Sequence, residues 1–221
     1  MTELFQRGLE ELKAGHLAEA QQLFGQNEER LGTVAQTREQ LEVAEAKLAA
    51  GQLADAAVIL EMLLERNPGL PQSYLGLARI SLLTGQIDSA RTQAVAALKL
   101  GPDFAMAWLI RGLVFEAEAD LSSALEHLRK AVELDPSTFL CQFNLGRVLI
   151  ISGKPAEAVA PLLMATRLDS KSVAAFSTLG TAYRLEKQFE KGLRAFEQAK
   201  DLAFAGRQRL GRRIIVGPLR C

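Results

Sequence analysis

The chain has 221 residues, with 26 Lys plus Arg set against 26 Asp plus Glu, and 48% hydrophobic against 24% charged residues. This is the composition of a folded chain, not a disordered one, and the charge balance excludes a bulk field that would draw nucleic acid or an anionic membrane. The two cysteines (Cys141, Cys221) and two histidines (His16, His127) are too few and too unpatterned for a disulfide framework or a metal site, so no cofactor is expected.

At the start of the chain, Met1–Arg7 lacks the basic opening and apolar core of a signal peptide. No run approaches the ~18 consecutive apolar residues of a membrane span, so the expectation is a cytoplasmic protein without membrane insertion. Alanine and leucine are frequent and prolines number only seven, which makes helix the default.

Read in order, helix-like apolar runs end at Pro68, Pro102 and Pro136, each 34 residues after the last. Other series keep the same phase. Gly15, Gly51, Gly85 and Gly153 share it with Ala119 and Lys187. Ala20, Ala56, Ala90, Ala124, Ala158 and Gly192 form a second series, and Gly8, Ala44, Ala78, Gly112, Gly146 and Gly180 a third. Such a period means stacked repeats of one supersecondary unit, because a single unit cannot bury both of its faces. The glycine phase marks the turn inside each hairpin, where a left-handed residue is needed. The small residues let two helices approach, and the prolines end a unit by disfavouring helix at the residue before them.

This pattern resembles the tetratricopeptide repeat family, with the fourth unit matching best through Trp108, Gly112, Phe115, Ala124, Leu128, Ala131 and Pro136. The resemblance implies an all-α fold, a right-handed α-solenoid of six stacked TPR hairpins with a concave groove. Its units are 1–34, 37–70, 71–104, 105–138, 139–172 and 173–206, with Ala35 and Gln36 inserted between the first two. Some positions depart from the pattern. Asn27 and Val34 make the first unit irregular, and Glu28–Gln40 reads equally as one longer helix running into the second unit. Pro161 falls inside a helix and should kink it. Lys187 occupies the last turn, and Phe204 stands where a proline would close the sixth unit.

By the same resemblance, the second, fifth, ninth, twelfth and thirteenth positions of each unit face the groove. The expected groove residues are Phe5, Leu41, Leu75, Arg79, Leu82, Leu109, Leu113, Phe143, Arg147, Ile150 and Arg184. They form an apolar track suited to a peptide or amphipathic helix of another protein, with Arg79 and Arg147 pairing acidic side chains on that partner. The alternative is that the leucines pack against neighbouring hairpins and the arginines are solvated. The lysine and asparagine of a two-carboxylate clamp for chaperone tails are missing from the fifth and ninth positions. No catalytic constellation is present, and the expected role is a non-catalytic scaffold or adaptor, with self-association as a third reading.

Residues 207–221 break the repeat: five arginines occur without an acid, and Ile214-Ile215-Val216 reads as a short β-like run. They form either a disordered basic terminus or the start of a further domain. In the second case Val216–Cys221 is weakly similar to the strand and loop of a sulfotransferase's donor site. That would make the chain the inactive N-terminal arm of a truncated TPR-sulfotransferase-like protein.

Overall fold

The computed structural model of the protein describes residues 6–7, 10–11 and 17–215. Among the described residues from Leu17 onward ten helices follow one another: α1 (Leu17–Ala49), α2 (Leu53–Arg66), α3 (Pro71–Leu83), α4 (Ile87–Leu100), α5 (Ala105–Ala117), α6 (Leu121–Leu134), α7 (Phe139–Ile151), α8 (Pro155–Leu168), α9 (Val173–Leu185) and α10 (Phe189–Ile215). They belong to two compact units, Met1–Ile80 and Ser81–Cys221. From α3 to α8 each helix pair coincides with one of the 34-residue units, α10 runs past the end of the last unit at 206, and the architecture is that of an all-α helical-repeat solenoid.

The first unit departs from the six-hairpin expectation. Residues 17–49 form one continuous helix, so units 1–34 and 37–70 share a helix instead of meeting at a turn. The cause is local. Val34 stands where a proline would stop the helix, and Ala35, Gln36, Arg38, Glu39 and Gln40 all tolerate or favour it. Arg38 and Glu42, one turn apart and 3.1 Å from each other, add an ion pair on its surface. Ala44 of α1 then packs with Leu60 of α2 and Leu77 of α3, with Leu41 and Ile80 against them.

In the second unit α5 to α9 share one core that contains Leu109, Leu125, Leu128, Leu145, Leu149, Leu162 and Leu179. Two local devices organise it. Within each hairpin the first helix ends on a left-handed residue: Gly85 and Gly153 at φ 75° and 73°, and the non-glycines Ala119 and Lys187 at 62° and 57°. Each closes two bonds to the helix behind it. At Gly153 these are 3.0 Å from its N–H to the Ile150 carbonyl and 2.8 Å from the Lys154 N–H to the Leu149 carbonyl. Between hairpins a carboxylate shapes the turn. Asp135 accepts from the Ser137 N–H at 3.0 Å, and Asp169 accepts from the Lys171 N–H at 2.9 Å. Hydroxyls of Thr138 and Ser137 hold the Asp135 carboxyl below its ordinary range.

Pro161 lies inside α8, which continues to Leu168. The carbonyl of Glu157 therefore finds no N–H four residues on. At the end of the chain, α10 runs through Ile215, so Ile214 and Ile215 are helical and not the β-like run expected of them. A helix already formed propagates cheaply, and Arg207, Gln208, Arg209, Leu210, Arg212 and Arg213 are good helix formers. Val216–Cys221 and Phe5 lie outside the described residues.

A non-glycine residue costs about 1 kcal/mol or more in the left-handed region, part of which glycine offsets through its freer unfolded chain. Ala119→Gly should therefore stabilise the protein by up to about 1 kcal/mol, while Gly153→Ala should destabilise it by about 1 kcal/mol. Urea melts at unchanged slope would measure both.

Candidate functional site

Within the second unit α5 neighbours α7, and α7 neighbours α9, so these first helices of successive hairpins present one continuous face. The sequence places Leu109, Leu113, Phe143, Arg147, Ile150 and Arg184 on it. Leu109 is only 2% exposed and belongs to the core, so it offers no surface to a partner. Leu75, in the first unit, is likewise buried. Packing covers these two leucines, whereas Leu41 and Phe143, at the same fifth position of their repeats, stay half-buried. Leu82, Leu113, Phe143 and Ile150 are half-buried, as is Leu41 in the first unit. Phe143 stacks on Phe139, with ring centroids 5.5 Å apart and planes within 8°.

The arginines also differ from expectation. Arg147 forks onto Glu116 of the preceding hairpin, with its Nη2 2.6 Å from Oε2 and its Nη1 on the other oxygen. It further donates 3.1 Å to Asn144. In the first unit Arg79 binds both oxygens of Glu45, at 2.9 and 2.7 Å, across one repeat. The two-nitrogen fork fixes the Arg147 guanidinium in one orientation, whereas Arg79 reaches both oxygens through Nη1 alone. Both arginines therefore tie one repeat to the one before it, and neither is available to an acidic partner unless its own glutamate is displaced. Arg184 is exposed, and among the described residues it makes no ion pair.

What the face does offer is a cleft of about 240 Å³ between α7 and α9, lined by Arg147, Ile150, Ile151, Ser177, Thr178 and Thr181. Thr178 and Thr181 spend their hydroxyl protons on their own helix, donating to the Ala174 carbonyl at 2.8 Å and the Ser177 carbonyl at 3.0 Å. Their oxygens and methyls are left facing the cleft. With Arg147 paired to Glu116, the cleft carries no unpaired charge and is lined by two isoleucines and three hydroxyl side chains. Ile151 is 53% exposed at its edge, and Leu185, the equivalent residue one hairpin on, is exposed as well. Both stand at the thirteenth position of their units, which is groove-facing in the repeat pattern although neither is among the groove residues expected from the sequence.

The remaining chemistry-bearing side chains are structural. His127 lies between Trp108 and Phe115, ring centroids 5.3 and 4.8 Å away, with Nδ1 2.9 Å from the Ser123 carbonyl. The Trp108 indole donates to the Pro102 carbonyl at 2.7 Å. No group of His, Cys, Asp and Glu among the described residues could hold a metal ion, and no described helix is long and apolar enough to cross a membrane. Asp120 caps α6 by accepting from the Ser123 N–H at 3.1 Å, and the Ser123 and Ser122 hydroxyls help to lower its carboxyl to about 2. Cys141 borders a second notch of about 410 Å³, with Asp103, Phe104, Met106 and Asp135. Its thiol is fully buried, and that burial, with a contribution from Asp135, pushes it up to about 11.

Stacked helical hairpins with an open face of first helices define the class: a helical-repeat scaffold. Tetratricopeptide repeat family models match residues 47–113 and 117–173, together just over half of the chain. The chain belongs to the tetratricopeptide repeat family, whose members mediate protein–protein interaction, and its repeat region is a binding scaffold and not an enzyme.

The chain is 24% identical over 136 residues to anaphase-promoting complex subunit 3 of Schizosaccharomyces pombe, covering 62% of this chain and 20% of that protein. Against the CTR9 homolog of Arabidopsis thaliana the identity is 27% over 131 residues, covering 57% of this chain and 12% of that protein. The chain thus spans a fifth or less of the length of these relatives. A thermophilic TPR protein of Thermus thermophilus shares the fold at a TM-score of 0.66 and 20% identity, over 81% of this chain and 100% of that one. MamA does so at a TM-score of 0.60 and 17% identity, over 75% of this chain and 97% of that one. At these identities the likeness to solved structures is one of fold. The matched family ranges lie before residue 174, and the weak sulfotransferase similarity of Val216–Cys221 falls outside the described residues.

The buried Cys141 thiol gives a pH test. A thiol raised from 9.0 to about 11 contributes stability that is fully present below pH 9 and is lost as pH rises through 11. Iodoacetamide should leave Cys141 unmodified in the native protein at pH 8 and label it in urea. Peptide mass mapping would read this independently of Cys221.

Proposed function

We propose that the protein recruits another protein by holding a short segment of it on the face formed by α5, α7 and α9. The segment's apolar side chains would enter the cleft between α7 and α9. The observation that carries this reading is the exposure of Ile151 at the edge of a cleft of about 240 Å³, with Leu185 exposed at the same position of the next hairpin. Apolar side chains grouped on an open concave surface lose energy in water and gain it under a partner.

The chemistry of the cleft narrows the segment. Arg147 is already paired with Glu116, so a carboxylate entering there would compete with an intramolecular bidentate bond. An uncharged, apolar peptide or the apolar stripe of an amphipathic helix suits it better, with hydroxyl and backbone groups meeting Ser177 and Thr181. Arg184 is positioned for an acidic residue at the segment's edge. Leu41, Leu82, Leu113, Phe143 and Ile150 form the half-buried floor of the first-helix faces in their own units. A cytoplasmic setting, where Cys141 stays a thiol, accompanies this reading.

The test is affinity capture from a lysate of the source organism, with intact chain and an Ile151→Glu/Leu185→Glu variant as baits. Both replaced side chains are exposed, so the variant should keep the parent's helical signal and melting temperature. A partner retained by the intact chain and reduced about tenfold or more on the variant supports the groove. Equal recovery on both baits would remove this face from the interaction. Leu75→Glu or Leu109→Glu cannot serve here, because a buried carboxylate in the core tests folding and not binding.

A further inference from the structure

The two arginines around the α7–α9 cleft are not equivalent, and one residue of α5 makes the difference. Arg147 lines the cleft, but its guanidinium is already engaged. Its Nη2 lies 2.6 Å from Glu116 Oε2, its Nη1 meets the other oxygen, and Nη2 also donates 3.1 Å to Asn144. Water reaches the pair poorly, with Glu116 20% and Arg147 32% exposed. Arg184 stands three residues past the cleft-lining Thr181, one turn along the same side of α9. It is exposed, and among the described residues it makes no ion pair. The cleft therefore offers a bound segment no free cation, while its α9 edge offers one.

Glu116 occupies the twelfth position of its unit, where Leu48, Leu82 and Ile150 stand in three others. Stacking does not require an acid there. α7 and α9 share one core through Leu145, Leu149, Leu179 and Tyr183, and among the described residues no ion pair joins them. What the acid changes is the chemistry of Arg147. An incoming carboxylate would have to displace Glu116 from a two-nitrogen fork, or share the guanidinium with it and set two like charges side by side. Such a contact disfavours one class of ligand more than it favours another, which is how specificity arises.

We propose that Glu116 is a specificity-determining residue of this face: it bars acidic side chains from the cleft, so that a bound segment carries its acid only at Arg184. The proposal rests on the reading of α5, α7 and α9 as a binding face and adds the charge pattern of what is bound. That pattern is an apolar stretch without Asp or Glu in the cleft, followed by one acid at the α9 edge. Were Glu116 only a staple between α5 and α7, Glu116→Gln would lower stability and leave the charge preference unchanged.

The probe is a phage-displayed library of random dodecapeptides, panned in parallel on the full chain and on its Glu116→Gln, Glu116→Gln/Arg147→Gln and Arg184→Gln variants. The full chain should enrich apolar peptides with a single Asp or Glu near one end. Glu116→Gln should add a second acid, the double variant should lose it again, and Arg184→Gln should lose the terminal one. In anisotropy titrations with the two-acid peptides, Glu116→Gln should bind about tenfold tighter than the full chain, with the gain shrinking as salt rises. Equal acid content on the full chain and on Glu116→Gln would overturn the proposal and leave the binding face intact. So would a second acid kept by the double variant, or a terminal acid kept by Arg184→Gln. The same peptides enriched on Ile151→Glu/Leu185→Glu, or none enriched on any bait, would remove the face itself and the proposal with it.

Discussion

From α5 to α10 the structure depends on how closely two helices approach at the eighth position of the repeat, where Gly112, Gly146 and Gly180 stand in place of the Ala44 and Ala78 of earlier repeats. A Cβ placed on Gly112 would stand 2.8 Å from Leu128 Cγ and 3.2 Å from the Ala124 carbonyl oxygen. Leu128 is fully buried and cannot withdraw. Gly146 faces Leu162 more tightly still, and Gly180 faces Phe196 with an added Cβ 2.8 Å from the ring. The missing methyl lets a large side chain from the second helix rest on the backbone of the first. In these three hairpins the packing of the first helix on the second follows from that contact.

Charges then register one repeat against the next. Arg147 meets Glu116 in the second unit and Arg79 meets Glu45 in the first. On the second-helix side Arg129 reaches Glu157 at 2.7 Å, and Arg91 reaches Glu118 at 2.6 Å. Each pair is at least partly solvent-exposed, so its worth lies more in orientation than in stability. The functional consequence is specific. Arginines committed to holding repeats together leave a first-helix face that is more apolar and less cationic than the bare sequence suggests.

The repeat was legible in the sequence because its requirements are local. A left-handed turn residue, a missing methyl and a proline that stops a helix each show as a residue type at a fixed spacing. Ala119 and Lys187 could be assigned to turns by phase alone, and they adopt the left-handed conformation despite their side chains. The fused α1 was harder to read, because it follows from the absence of stop signals around Val34, and that absence left two readings open. Burial of Leu75 and Leu109 and the pairing of Arg79 and Arg147 depend on how far each side chain reaches between repeats, which periodicity does not encode. A partial signal did exist for one pair: Glu45 and Arg79 are opposite charges at the same position of adjacent units. The exposure of Ile151 and Leu185 was implicit in the thirteenth position, and no spacing rule distinguishes it from burial.

The most direct measurement is the stability of Gly112→Ala by urea denaturation. Helix propensity alone favours alanine by about 1 kcal/mol, whereas overpacking against the Leu128 side chain and the Ala124 carbonyl should cost about 1–3 kcal/mol. The account predicts a net loss of stability, which Leu128→Ala partly relieves in the double variant because it removes the atoms that the new methyl meets. A Gly112→Ala protein as stable as the parent, or more stable, would contradict the claim that this close approach organises the repeat.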